Sequence, residues 1–98
     1  MPGSLHTVDM AASGITAGIR EVGYGPVVKL VSAPTRCKRV WVGRPEAATG
    51  KVWIGTQLRQ NRLLDAGDMA GFYIHIDDAS KIYLISEADS SVEYWIEH

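Results

Sequence analysis

Lys38-Arg39-Val40-Trp41-Val42-Gly43 is echoed twelve residues later by Gly50-Lys51-Val52-Trp53-Ile54-Gly55, in the order polar, valine, tryptophan, aliphatic, glycine. Successive residues of a strand point to opposite faces. Each copy therefore sets two aliphatic side chains on one face, Val40 with Val42 and Val52 with Ile54, and a tryptophan on the other. The echo predicts two arms of one hairpin, joined by the longer loop Arg44-Pro45-Glu46-Ala47-Ala48-Thr49-Gly50. Two copies are too few for a solenoid.

The same alternation extends along the chain. The ten glycines and four prolines fall between short β-branched and aromatic runs, the punctuation of an all-β chain with tight turns. Strands are expected at 15–22, 27–32, 38–43, 51–55, 61–64, 72–77, 81–86 and 92–97, with turn signals at Ala66-Gly67-Asp68, Asp77-Asp78 and Ala88-Asp89-Ser90-Ser91. Thr56-Gln57-Leu58-Arg59-Gln60 is too short to nucleate a helix and reads as a turn. The expected fold is all-β, a small β-sandwich or jelly-roll-like barrel of about eight antiparallel strands. Residues 1–14, with Pro2, Gly3, Ser4, Ser13 and Gly14 and no sustained alternation, read as an extended N-terminal arm ahead of a sandwich domain over 15–98.

Phase then separates the aromatic residues from the core. Phe72, Ile74 and Ile76 oppose Tyr73 and His75; Ile82 and Leu84 oppose Tyr83 and Ile85; Val92, Tyr94 and Ile96 oppose Glu93, Trp95 and Glu97. Trp41, Trp53, Tyr73, Tyr83 and Trp95, five of the eight aromatics, thus leave the aliphatic side. A buried tryptophan removes about 150–250 Å² from water, worth several kcal/mol at about 25 cal/mol per Å². Either this chain's own loops, arm or cross-strand pairs cover these rings, or they form a protein interface. The interface reading assigns partner binding to Trp41, Trp53, Trp95, Tyr73 and Tyr83, with Arg36, Arg39, Arg44, Glu93 and Glu97 at polar rims.

A length of 98 residues with 46% hydrophobic and 21% charged side chains describes one small globular domain. Such a domain buries about 60–65% of its unfolded surface, so its stability is marginal and assembly with other copies would help. Ten basic against eleven acidic residues leave a formal charge of −1, with no global excess to attract nucleic acid or a membrane. No apolar run approaches the roughly 18 residues of a spanning helix. The start, Met1 to Asp9, lacks the basic and apolar regions of a secretory signal, and a soluble intracellular product is expected. The charge is nevertheless segregated: residues 20–62 hold nine basic and two acidic side chains, residues 63–98 one basic and eight acidic. Halves of a small β fold interleave, so internal pairing is the default, and head-to-tail association the alternative if they form separate surfaces.

Catalytic equipment is not evident. His6, His75 and His98 have no ligand-pair spacing, and the single Cys37, beside Arg36, Lys38 and Arg39, has no second thiol and no histidine base nearby, which reads as a half-buried strand thiol. Asp65, Asp68, Asp77 and Asp78 sit near turns, where aspartate accepts local backbone bonds. Gly14-Ile15-Thr16-Ala17-Gly18 and Gly23-Tyr24-Gly25-Pro26 mark bends. No catalytic, cofactor-binding or metal-ligating residue is expected. A second reading uses Arg36, Lys38, Arg39, Arg44, Lys51, Arg59 and Arg62 with Trp41 and Trp53 as a single-strand nucleic-acid groove, weakened by the acidic C-terminal third. A carbohydrate-binding module would use the tryptophans as stacking platforms.

Val40-Trp41-Val42-Gly43, then Leu63-Leu64-Asp65-Ala66-Gly67-Asp68, then Ile82-Tyr83-Leu84-Ile85-Ser86 and Val92-Glu93-Tyr94-Trp95-Ile96-Glu97 follow one another in an order that resembles small β-sandwich virion proteins of tailed bacteriophages. The resemblance spans about residues 27–97 and rests on pattern. It implies a capsid decoration or cement protein on the outside of the virion, made in the host cytoplasm, which binds the major capsid protein lattice, reinforces it without an active site, and forms a homo-oligomer, a dimer or trimer. The short chain, without a second domain, and the tryptophan-rich exterior depart from the pattern. Neck and fibre-attachment proteins share the sandwich.

Overall fold

The computed structural model describes residues 8–10, 14–45, 49–65 and 70–98. It contains nine strands: β1 (Val8–Met10), β2 (Ile15–Val22), β3 (Val28–Lys29), β4 (Arg39–Gly43), β5 (Val52–Gly55), β6 (Gln60–Leu64), β7 (Phe72–Ile74), β8 (Tyr83–Ser86) and β9 (Ser90–Glu97). They form a five-stranded sheet in the order β1-β2-β9-β4-β7 and a four-stranded sheet in the order β3-β8-β5-β6. Every ladder is antiparallel, and β2 pairs with β9, β3 with β8, β4 with β7 and β5 with β6. These nested pairs are one long hairpin rolled over itself, the jelly-roll plan, which leaves fewer open edges than separate hairpins would.

The eight strands expected from alternation are all present, some shortened. β3 is two residues long, and β7 stops at Ile74 because the chain turns there into a 3-10 turn over Ala79–Lys81. Of the expected arm, residues 8–10 form an edge strand on β2, with Val8 opposite Ala17 and Met10 opposite Ile15. Residues 1–7 and 11–13 of the arm, 46–48 of the loop after β4 and the Ala66-Gly67-Asp68 turn signal lie outside the described residues.

The echoed tryptophan segments are not a hairpin. β4 lies in the five-stranded sheet between β9 and β7, and β5 in the four-stranded sheet between β8 and β6. The pattern is the same because the requirement is the same: each strand turns its aliphatic pair toward a common core from its own side. Val40, Val42, Val92 and Ile96 of one sheet meet Val52, Ile54, Leu64 and Leu84 of the other, with Leu30 and Ile82 filling the ends. All ten are within 3% of full burial.

Arginines bridge the sheets where the aliphatic layer runs out. Arg20, on the core side of β2, donates from Nε to the Lys29 carbonyl of β3 at 2.8 Å. On the opposite edge Arg62 of β6 stacks its guanidinium 4.3 Å from the Phe72 ring of β7. Long arginine stems cover apolar surface while their heads stay polar, which suits a sandwich edge.

Asp78 caps the 3-10 turn. Its Oδ1 accepts from the Thr35 backbone N–H at 2.9 Å, from Ser80 N–H at 2.9 Å and from Ser80 Oγ at 2.7 Å. The Thr35 bond, followed by those from Ser80, holds the carboxyl at about 2, below its ordinary 3.8. A carboxyl depressed on folding stabilises the native state fully above its unfolded value and loses that contribution as pH falls through the folded one. Wild-type protein is therefore expected to lose urea resistance more steeply between about pH 4 and pH 2 than Asp78→Asn, whose cap does not titrate. Equal pH slopes in that window would remove Asp78 from the acid response.

Candidate docking surface

The outer face of the five-stranded sheet carries a row of side chains across four adjacent strands. Register places Ala17 opposite Trp95, Trp95 opposite Trp41 and Trp41 opposite Tyr73. Neighbouring strands lie about 4.8 Å apart, so the three aromatic residues stand side by side in a cross-strand ladder. Trp95 remains 39% and Tyr73 50% exposed, and Trp41 is half-buried. Trp41 is fixed at its edge: Nε1 donates to the Ala70 carbonyl at 3.0 Å, and the Gly71 backbone packs against the indole.

Charge rims this ladder. Arg39 reaches Glu97 Oε2 at 2.8 Å and lies 4.0 Å from the centre of the Tyr73 ring. Glu93 Oε2 accepts a long 3.4 Å bond from Trp95 Nε1. Between them lies a depression of about 410 Å³ lined by Ile15, Trp41, Tyr73, Glu93, Trp95 and Glu97. Ile15 was not singled out in the sequence. Its place depends on β2 pairing with β9 across most of the chain's length, which no local pattern announces.

Six of the ten expected partner-binding residues therefore share this surface: Trp41, Tyr73, Trp95, Arg39, Glu93 and Glu97. Trp53 and Tyr83 do not join them. They lie on the outer face of the four-stranded sheet, where Trp53 stands between Leu63 and Ile85 and Tyr83 between Lys29 and Gly55. Leu63 is 39% exposed there, and Trp53, Tyr83 and Ile85 are half-buried. Of the two tryptophans in the nucleic-acid reading, Trp41 therefore lies on one outer face of the sandwich and Trp53 on the other. Arg36 is exposed beyond the start of β4, where its backbone bridges Asp78.

Arg44 corrects the expectation of a rim residue. It is 1% exposed. Nε donates to the Ser91 carbonyl at 2.8 Å, Nη1 to Gly50 at 2.9 Å and Leu64 at 3.0 Å, and Nη2 to Thr49 at 2.8 Å and to Ser90 Oγ. A guanidinium offers five N–H donors in a fixed fork, and here the fork gathers the chain after β4, the end of β6 and the start of β9. Arg44 follows β4 in one sheet, and Thr49 and Gly50, which it holds, lead into β5 in the other.

Cys37 is buried just before β4 and donates from Sγ to the Ile76 carbonyl at 3.3 Å. Burial, then the Asp78 and Asp77 carboxylates, raise its pKa above the ordinary 9.0, the reverse of an activated nucleophile. Among the described residues no group of three His, Cys, Asp or Glu side chains is placed to hold a metal ion, and no helix is long and apolar enough to cross a membrane.

Fold and surface together define a jelly-roll domain with aromatic side chains on both outer sheet faces. Comparison with protein-family models, with curated proteins and with solved structures finds no match.

Proposed function

We propose that this chain is a non-enzymatic virion structural protein, a decoration or cement protein that seats the outer face of its five-stranded sheet on the major capsid protein lattice. The observation that carries the reading is the Tyr73–Trp41–Trp95 row, ordered by backbone pairing, in which Tyr73 and Trp95 are exposed and Trp41 is half-buried. Rigid, half-exposed aromatic anchors within a charged rim are what protein interfaces bury. The jelly roll is also an architecture of capsid proteins, which supports the reading by analogy of fold. A cement protein needs a second contact, and the opposite face offers Trp53, Leu63 and Ile85 for meeting neighbouring copies in a dimer or trimer. Its place is then the capsid surface, after synthesis in the host cytoplasm.

Each bound copy stabilises the particle by mass action. Particles carrying the protein are expected to fail at a higher temperature than stripped particles, and re-addition should restore the difference. Unchanged failure after stripping overturns the cement role. Trp95→Ala should weaken binding to stripped particles by about 30-fold or more, the loss typical of an interface hot spot. The side chain is already partly exposed, so the isolated domain should lose about 1 kcal/mol or less. Undiminished binding by Trp95→Ala refutes the assigned face.

The same row of rings would stack sugar rings. Glycan titration that quenches Trp41 and Trp95 fluorescence, with no affinity for particles, selects a carbohydrate-binding module instead.

A further inference from the structure

The depression on the five-stranded sheet has a particular chemistry. Among the described residues six line it: three are aromatic, two are carboxylates and the sixth is Ile15, and none is a lysine or arginine. The sheet already holds one cation in this manner: Arg39 lies over Tyr73 and pairs with Glu97. Glu93 sits two residues from Trp95 on the same face of β9, opposite Gly43, which contributes no side chain to crowd it. Among the described residues no cation pairs with Glu93, and its bond from Trp95 is long. An aromatic wall beside a carboxylate attracts a cation twice, through the ring quadrupole and through charge, and more strongly once water is excluded.

We propose that this depression receives a basic side chain, arginine or lysine, projecting from the docked protein surface, with its charged head between Glu93 and the indoles of Trp41 and Trp95. The inference rests on the docking reading and specifies its partner: an apolar patch bearing a protruding cation. The geometry favours arginine, whose planar guanidinium both stacks on indole and bonds a carboxylate. Arg39 illustrates this pairing on the neighbouring strand.

The probe is N-acetyl-arginine amide, with the neutral N-acetyl-citrulline amide as its near-isosteric control. Indole N–H resonances are followed by NMR on the whole chain. Saturable shifts at Trp41 and Trp95, with Trp53 on the opposite face unmoved, are expected from the arginine compound alone. Glu93→Gln should weaken that binding by about tenfold, as loss of a charge-assisted contact does. Equal response to both compounds, or equal shifts at all three indoles, overturns the proposal. Stripped particles then separate the two levels of the argument. If Glu93→Gln binds particles as tightly as wild type while Trp95→Ala does not, the cation assignment falls and the docking face stands. If neither variant loses affinity, the docking face itself falls. Weaker binding by Glu93→Gln, with a reduced dependence on salt, supports both.

Discussion

Arg44→Met is expected to lower the unfolding free energy by about 3–5 kcal/mol, the range for removing one partner from a buried charged network. The wild-type arginine donates to the carbonyls of Thr49, Gly50, Leu64 and Ser91 and to Ser90 Oγ from a site that is 1% exposed. Buried ion pairs can sometimes be exchanged for apolar residues at little cost because both partners go. That route is closed here, since backbone carbonyls cannot be removed, and methionine strips them of donors without replacing them. Small domains have about 5–15 kcal/mol in total, so the variant stands near the threshold of folding. Arg44→Lys keeps the charge but gathers its three donors at one atom on a flexible stem, and should recover only part of the loss. Urea denaturation followed by tryptophan fluorescence measures both variants. A cost below about 1 kcal/mol for Arg44→Met would mean that the meeting of Thr49–Gly50, Leu64 and Ser90–Ser91 is not organised by this side chain.

Gly71→Ala is the second large effect, expected at about 3 kcal/mol or more. Gly71 has φ +59°, a conformation costing other residues about 1–2 kcal/mol. A Cβ there would fall 2.0 Å from the Val42 carbonyl oxygen and 2.9 Å from two indole carbons of Trp41. Those atoms belong to a core strand and to the exposed aromatic row, so relief of the clash must shift one or both. Gly14→Ala separates the two causes: Gly14 also has a positive φ, +75°, but among the described residues nothing lies within 4 Å of its added Cβ. It should show only the conformational cost. If Gly71→Ala costs no more than Gly14→Ala in thermal and urea unfolding, the close packing at Trp41 is not rigid. In the expected case Gly71→Ala also alters Trp41 fluorescence and weakens particle binding without touching an exposed residue.

These two positions mark the boundary of what local sequence can convey. Both are punctuation in the chain, an arginine before a proline and a glycine before an aromatic run. An arginine outside an alternating strand reads as surface, because charged side chains are rarely buried alone. Its burial follows from carbonyls brought together from three distant parts of the chain. The candidate surface was legible in the same partial way. Phase correctly set Trp41, Tyr73 and Trp95 with Glu93 and Glu97 away from the aliphatic layer, and it set Trp53 and Tyr83 away as well. Phase carries no information on which sheet a strand joins, so it could not divide the five rings between two faces. Of the segregated charges, Arg39 of the basic half pairs with Glu97 of the acidic half because β4 and β9 are neighbours.

What the chain determined by itself is therefore the eight strands from β2 to β9 and the inward or outward sense of the side chains along them. Both follow from covalent geometry and hydrophobic alternation, which act within a few residues. Pairing is a different matter. It joins Ile15 to Glu97 and Val40 to Ile96, and it sends the two tryptophan echoes into opposite sheets. Those choices belong to tertiary structure because they depend on closing one apolar core between two sheets. In that enclosed space, burial and hydrogen bonding must be satisfied for the whole chain at once.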